Sequence, residues 1–178
     1  MNTFKSKLII LMLFLGIQVL LLSCISRVTQ PENKPVLFAD FLNYQDIYDL
    51  RLTIYHMSSN ILNRGPVGIG NLLGSRHQFR TTIYGYDLKD YIELFEQLNS
   101  VDLIPIESDG FLDARLFYTF QTGINDRLFT VIFRGMHGIF VNGIEVELKP
   151  IFFEVLIPFV PENVAKELKG HIEWIIAQ

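Results

Sequence analysis

The chain has 178 residues, enough for one domain with a sizeable core. Nearly half are hydrophobic and 13% are aromatic, which argues against a disordered chain. Residues 24–178 hold 13 of the 15 basic side chains and all 19 acidic ones, net −6, so this part offers nucleic acid or an anionic lipid surface no basic footprint.

The N-terminus begins with Lys5 and Lys7. The stretch Leu8–Leu22 follows, in which only Gly16 and Gln18 are not strongly apolar. Positive start, apolar middle and small residue near the end is the layout of an export signal. Three readings compete. As a helix the apolar stretch rises roughly 22 Å, against about 30 Å of bilayer hydrocarbon, so a span is short. An ordinary cleavage site wants small residues two apart, and Leu21 stands two before Ser23. The third reading rests on Leu21-Leu22-Ser23-Cys24, which resembles a bacterial lipobox. This resemblance covers residues 1–24 only. It implies diacylglycerol on the Cys24 thiol, cleavage before Cys24 and further acylation of the new N-terminus, for example by palmitate. Cys24 is the only cysteine, and a thioether there leaves no free thiol in an exported protein. Two or three acyl chains anchor stably where one is marginal. Ile25 follows Cys24, so the Asp retention signal known in enteric lipoproteins is absent. The expected location is the exported side of the cell membrane, or the outer membrane if the source has one.

Residues 25–35 are polar with Pro31 and Pro35, and read as a linker of roughly 35 Å at full extension. The expected organisation is a signal over 1–23, lipidated Cys24 and linker over 24–35, and one globular domain over 36–178.

Residues 46–57 read as a strand, with Leu50, Leu52 and Ile54 on one face. Residues 59–75 contain Gly65, Gly68, Gly70, Gly74 and Pro66, and read as a plain connection, with a partner-recognition loop as the alternative. Residues 77–86 read as a second strand. Residues 87–100 read as a helix with Asp87 as N-cap and Leu88, Tyr91, Ile92, Phe95 and Leu98 inward. Two period-two runs flank Gly123-Ile124-Asn125-Asp126 and predict a hairpin with a four- or five-residue loop. In 138–147, Asn142-Gly143 predicts a type I′ turn. Residues 149–161 favour a short helix, with Pro150 in its first turn and Pro158 ending it. Residues 161–178 predict a helix with Val164, Leu168, Ile172 and Ile175 inward, weakened by Gly170.

The expected fold is α+β: an antiparallel sheet of about five strands with helices packed on one face. This layout is similar to small secreted binding and inhibitor domains, and the chain resembles uncharacterised small envelope lipoproteins. Phe117, Tyr118, Phe129 and Phe133 cannot all share one face, so part of the outer side needs a cover, which the C-terminal helices are expected to supply.

No catalytic constellation is visible. The glycine stretch lacks phosphate-loop spacing, and Ser75 has no nucleophile-elbow signature. His56, His77, His137 and His171 show no metal-ligand spacing, so no metal or cofactor is expected. His56 reads as structural and His137 as an exposed turn residue. Asp109 and Asp113 read as turn chemistry beside Gly110. The expectation is a lipid-anchored protein with a non-catalytic binding or assembly role and an envelope protein partner. The alternative is an envelope hydrolase whose residues converge only in space. A cleft joining His56 or His77 to an acid and a serine would overturn the binding expectation, and an exposed apolar patch marks a binding module.

Overall fold

The computed structural model describes residues 47–63, 65–107, 113–123, 126–135 and 138–178. The signal, Cys24, the linker, Asp109, Gly110 and His137 lie outside them.

Six strands form one antiparallel sheet: β1 (Leu50–His56), β2 (Phe79–Tyr84), β3 (Ala114–Thr122), β4 (Asp126–Arg134), β5 (Gly138–Val141) and β6 (Ile144–Val146). Their order across the sheet is β2-β1-β3-β4-β5-β6. The α+β reading holds. The strand count is six rather than about five because residues 138–147 fold back on themselves. Asn142 and Gly143 adopt φ of 49° and 88°, as a type I′ turn requires. Asn142 also ties the turn to β4: its Oδ1 accepts the Thr130 N–H, and its own N–H donates to Thr130 O, both at 2.8 Å. At the other hairpin Thr122 pairs with Asp126, leaving three residues between them rather than four or five.

One face of the sheet carries Leu52, Ile54, Tyr118, Phe120, Val131 and Phe133 into the main core. Helices cover this face: α1 (Gly85–Leu88), α2 (Ile92–Asn99), α3 (Ile151–Glu154) and α4 (Glu162–Ile176). The segment expected as one helix over 87–100 is broken. A 3-10 turn, Lys89–Tyr91, separates α1 from α2, and helical geometry begins at Gly85, so Asp87 is not its cap. Leu88, Phe95 and Leu98 are buried as expected, whereas Ile92 is exposed. Phe95 meets Phe120 edge-on at 5.3 Å, locking α2 to the sheet centre.

The opposite face bears a row of four hydrogen-bonded or paired threonines, Thr82, Thr53, Thr119 and Thr130. Beside it runs the row Arg80, Tyr55, Phe117, Ile132 and Phe140. Phe117 is buried, but under the glycine-containing connection rather than the C-terminal helices. Val67 and Leu72 of that connection pack with Met57, Ala114 and Phe117 in a second, smaller core. The glycines punctuate the segment, and the apolar residues between them make it a cover. A helical turn at Ile69–Asn71 and a wider π turn at Leu72–Arg76 shape it. His77 anchors its end, bonding Leu72 O through Nδ1 at 2.9 Å and meeting the Tyr55 ring edge-on.

On this outer face Arg134 of β4 pairs with Glu145 of β6, Nη2 to Oε1 at 2.8 Å, with the carboxylate almost wholly buried. Gly138, on β5 between them, makes the pair possible. A Cβ there would stand 2.7 Å from Arg134 Nε and 2.9 Å from Glu145 Oε1. Breaking a buried ion pair costs about 3–5 kcal/mol, since one charge is left uncompensated. Gly138→Ala is therefore expected to lower unfolding stability by about 3 kcal/mol, read as a fall in the urea midpoint with unchanged slope.

Candidate functional site

The last residue of β1, His56, points to the helix-covered face at the end of the sheet. The chain then leaves the sheet through Met57, Ser58, Ser59 and Asn60. This exit is fixed from several directions. The Met57 N–H donates to Arg115 O at 2.8 Å, and the Ser58 N–H donates to Gln78 Oε1 at 2.9 Å. Arg115 Nη1 donates to Ile61 O at 3.0 Å, while its Nε donates to Asp113 Oδ2 at 2.8 Å. Asp113 in turn accepts the Val67 N–H at 2.7 Å. Asp113, read from sequence as turn chemistry, thus joins β3 to the cover.

Opposite this exit lies α4. Its Val164 and Leu168 are buried as the 3.6-residue period predicts, and Ile172 and Ile175 are half-buried against the same core. The flank of that stripe carries Glu167 and His171, four residues apart and so on one side of the helix. Glu167 Oε1 accepts both the backbone N–H and the hydroxyl of Ser59, each at 2.8 Å. The Ser58 side chain also favours the charged form of this carboxylate. His56 Nε2 stands 3.6 Å from Glu167 Oε2. His171 is buried and stacks on Phe153, ring centres 5.3 Å apart.

These surroundings set the charges. Burial lowers the pKa of His56 below its ordinary 6.5, and nearby His171 lowers it further; Glu167 opposes both without prevailing. His56 is therefore neutral at pH 7. Burial alone would raise Glu167, but the Ser59 N–H, the two serine hydroxyls and His56 outweigh it and hold the carboxyl below 4.5.

A cleft of about 730 Å³ opens above this pair. Ser58, Asn60, Gln78 and Phe79 form its sheet-side wall, and α4 with the preceding Pro161 forms the other. The volume falls in the usual range for small-ligand sites. Sequence reading placed His56 as structural and did not single out Glu167. The available signal was the i, i+4 pair Glu167/His171 beside the buried stripe of an amphipathic helix.

Of the other candidates, His171 lies beside His56, while His77 and Ser75 stand apart. His77 serves the outer face, and Ser75 lies in the cover. Among the described residues no group of three or more His, Cys, Asp or Glu is arranged to hold a metal ion, and no helix is long and apolar enough to cross a membrane. No protein-family model, curated protein or solved structure shows significant similarity to the chain.

The charge states carry a pH dependence of definite sign. In the unfolded chain His56 takes its proton near 6.5, and in the folded protein only at lower pH. Stability is full above pH 6.5 and declines as pH falls toward the lowered folded value. Glu167 adds a second decline below 4.5, as the unfolded chain protonates its carboxyl first. Urea titrations across this range are expected to show both steps, and His56→Gln to remove the upper one. Glu167→Ala is expected to cost about 2 kcal/mol or more at pH 7, because several hydrogen bonds to a charged group are lost.

Proposed function

We propose that this chain is a bacterial lipoprotein, anchored through lipid on Cys24, whose domain is a non-catalytic binding module taking its ligand in the cleft between the Ser58–Asn60 exit and α4. The anchoring half rests on the charged-then-apolar N-terminus ending in Leu21-Leu22-Ser23-Cys24. The linker would hold the domain within roughly 35 Å of the bilayer, on the exported face of the cell or outer membrane.

One observation carries the binding half. The carboxylate under the cleft is already engaged by Ser59 and faced by His56. A nucleophilic serine needs its hydroxyl on the histidine and the carboxylate on the far ring nitrogen. Here the Ser59 hydroxyl donates to the acid, and His56 turns Nε2 to the same acid. Glu167 is thus a structural hub joining two walls, rather than the last member of a relay.

A specific observation also favours the alternative, an envelope hydrolase. The cleft does join His56 to an acid and to Ser58, the composition that on the sequence expectation overturns the binding reading. Composition supports hydrolysis, and the hydrogen-bond connectivity supports binding.

Two measurements test the halves separately. Wild-type protein expressed with its full N-terminus is expected to partition into membranes and to carry acyl mass on an N-terminal Cys24. Cys24→Ala is expected to lose both, and a wild-type protein that keeps its signal without lipid mass sinks the anchoring half. A fluorophosphonate is expected to leave the full-length protein unmodified. A stoichiometric adduct on Ser58 or Ser59 would replace the binding reading by the hydrolase.

A further inference from the structure

We infer that the cleft takes a neutral polyhydroxylated ligand, a saccharide of one to three units, an assignment that rests on the binding reading above and names its ligand class.

Charge is the first discriminator. The ionised groups lining the cleft are Lys166 and Glu167, one of each sign, and His56 is neutral. The site therefore offers no net field to an anion or a cation, and Glu167 already has its donors. An anion would meet Lys166 only with Glu167 beside it, and a cation the reverse, so a charged ligand loses hydration without gaining a net opposite charge.

The second discriminator is the type of polar group. Asn60, Gln78 and Asn163 bring three carboxamides to one cleft, together with the Ser58 hydroxyl. A carboxamide both donates and accepts. It can satisfy a pair of adjacent hydroxyls, each of which also does both. Gln78 gives its oxygen to the Ser58 N–H, a bond that does not use its amino group. Phe79 and Pro161 add flat apolar surface among these groups, suited to the C–H face of a sugar ring. An extended peptide is read mainly by pairing with free backbone groups at a sheet edge. Next to this cleft the Gln78 N–H is spent on His56 O, and the Ser58 N–H on Gln78. The recognition here falls to side chains.

Gly170 is the third feature. It lies inside α4, where glycine costs about 1 kcal/mol relative to alanine. It also lines the cleft, and a Cβ added there meets nothing within 4 Å. Its missing side chain leaves room in the α4 wall.

The test uses full-length protein in detergent micelles and titration calorimetry with maltotriose and tri-N-acetylchitotriose. A trisaccharide of galacturonate, one of glucosamine and the peptide tri-alanine serve as charged and peptidic comparisons. At least one neutral trisaccharide is expected to bind. Gly170→Gln, which fills the cleft from an otherwise open position, and Asn163→Ala are each expected to weaken it at least about tenfold, with the thermal midpoint retained. If only a charged trisaccharide or the peptide binds, and Gly170→Gln blocks it, the cleft is a binding site and the saccharide assignment is overturned. If no compound binds, the saccharide assignment falls, and the binding reading falls with it only if the fluorophosphonate also modifies Ser58 or Ser59. Neutral-sugar binding that Gly170→Gln leaves unchanged places the site elsewhere and overturns the inference.

Discussion

The Glu167 carboxylate holds the two halves of the candidate site in register. It lies on the last helix, and it grips Ser59 across 108 residues of sequence through both the backbone N–H and the hydroxyl. The walls of the cleft belong to different layers of the fold, one leaving the sheet and one lying over it. Apolar packing of Val164 and Leu168 presses α4 onto the sheet, but such packing is non-directional. Only a directional contact fixes which part of the helix meets Ser58 and Ser59. Hydrogen bonds to an ionised acceptor supply that, being stronger and geometrically stricter than neutral ones. The Arg115–Asp113 pair gives rigidity from behind, gripping the same exit at Ile61 and the cover at Val67.

Much of the architecture was legible because it rests on local rules. Alternation placed Leu52 and Ile54 on one face, and Asn142-Gly143 announced its turn because few residue pairs tolerate positive φ twice. The break between α1 and α2 was hidden, since Leu88, Phe95 and Leu98 keep a helical stripe across the 3-10 turn. The cover over Phe117 was hidden for a different reason. Its glycines are conspicuous in sequence, but its folding is decided by Val67 and Leu72, whose partner surface exists only once the sheet has formed. The candidate site was the least legible part. His56 and Glu167 each look ordinary alone. Their meeting is a long-range event, and only the Glu167/His171 spacing offered a local clue.

On the proposed reading, the separation of binding from hydrolysis depends on connectivity rather than inventory. A serine, a histidine and a glutamate share one cleft, yet the Ser59 hydroxyl and the ring both turn to the acid. That arrangement satisfies the half-buried charge and leaves Ser59 and His56 out of line for a relay to a serine nucleophile. Burial, with His171 nearby, keeps His56 a neutral wall residue at pH 7 against the pull of Glu167, and so couples the integrity of the cleft to acidity.

The long reach of Glu167 also has a temporal side. A chain made from its N-terminus presents His56, Ser58 and Ser59 well before the residue that will clasp them. The contact that completes the cleft has high sequence separation, and such contacts form slowly and late. The sheet can assemble from its neighbouring hairpins while the site stays open and incompetent. On the proposed reading, binding competence would come only in a final docking step, so a nascent chain would not capture ligand.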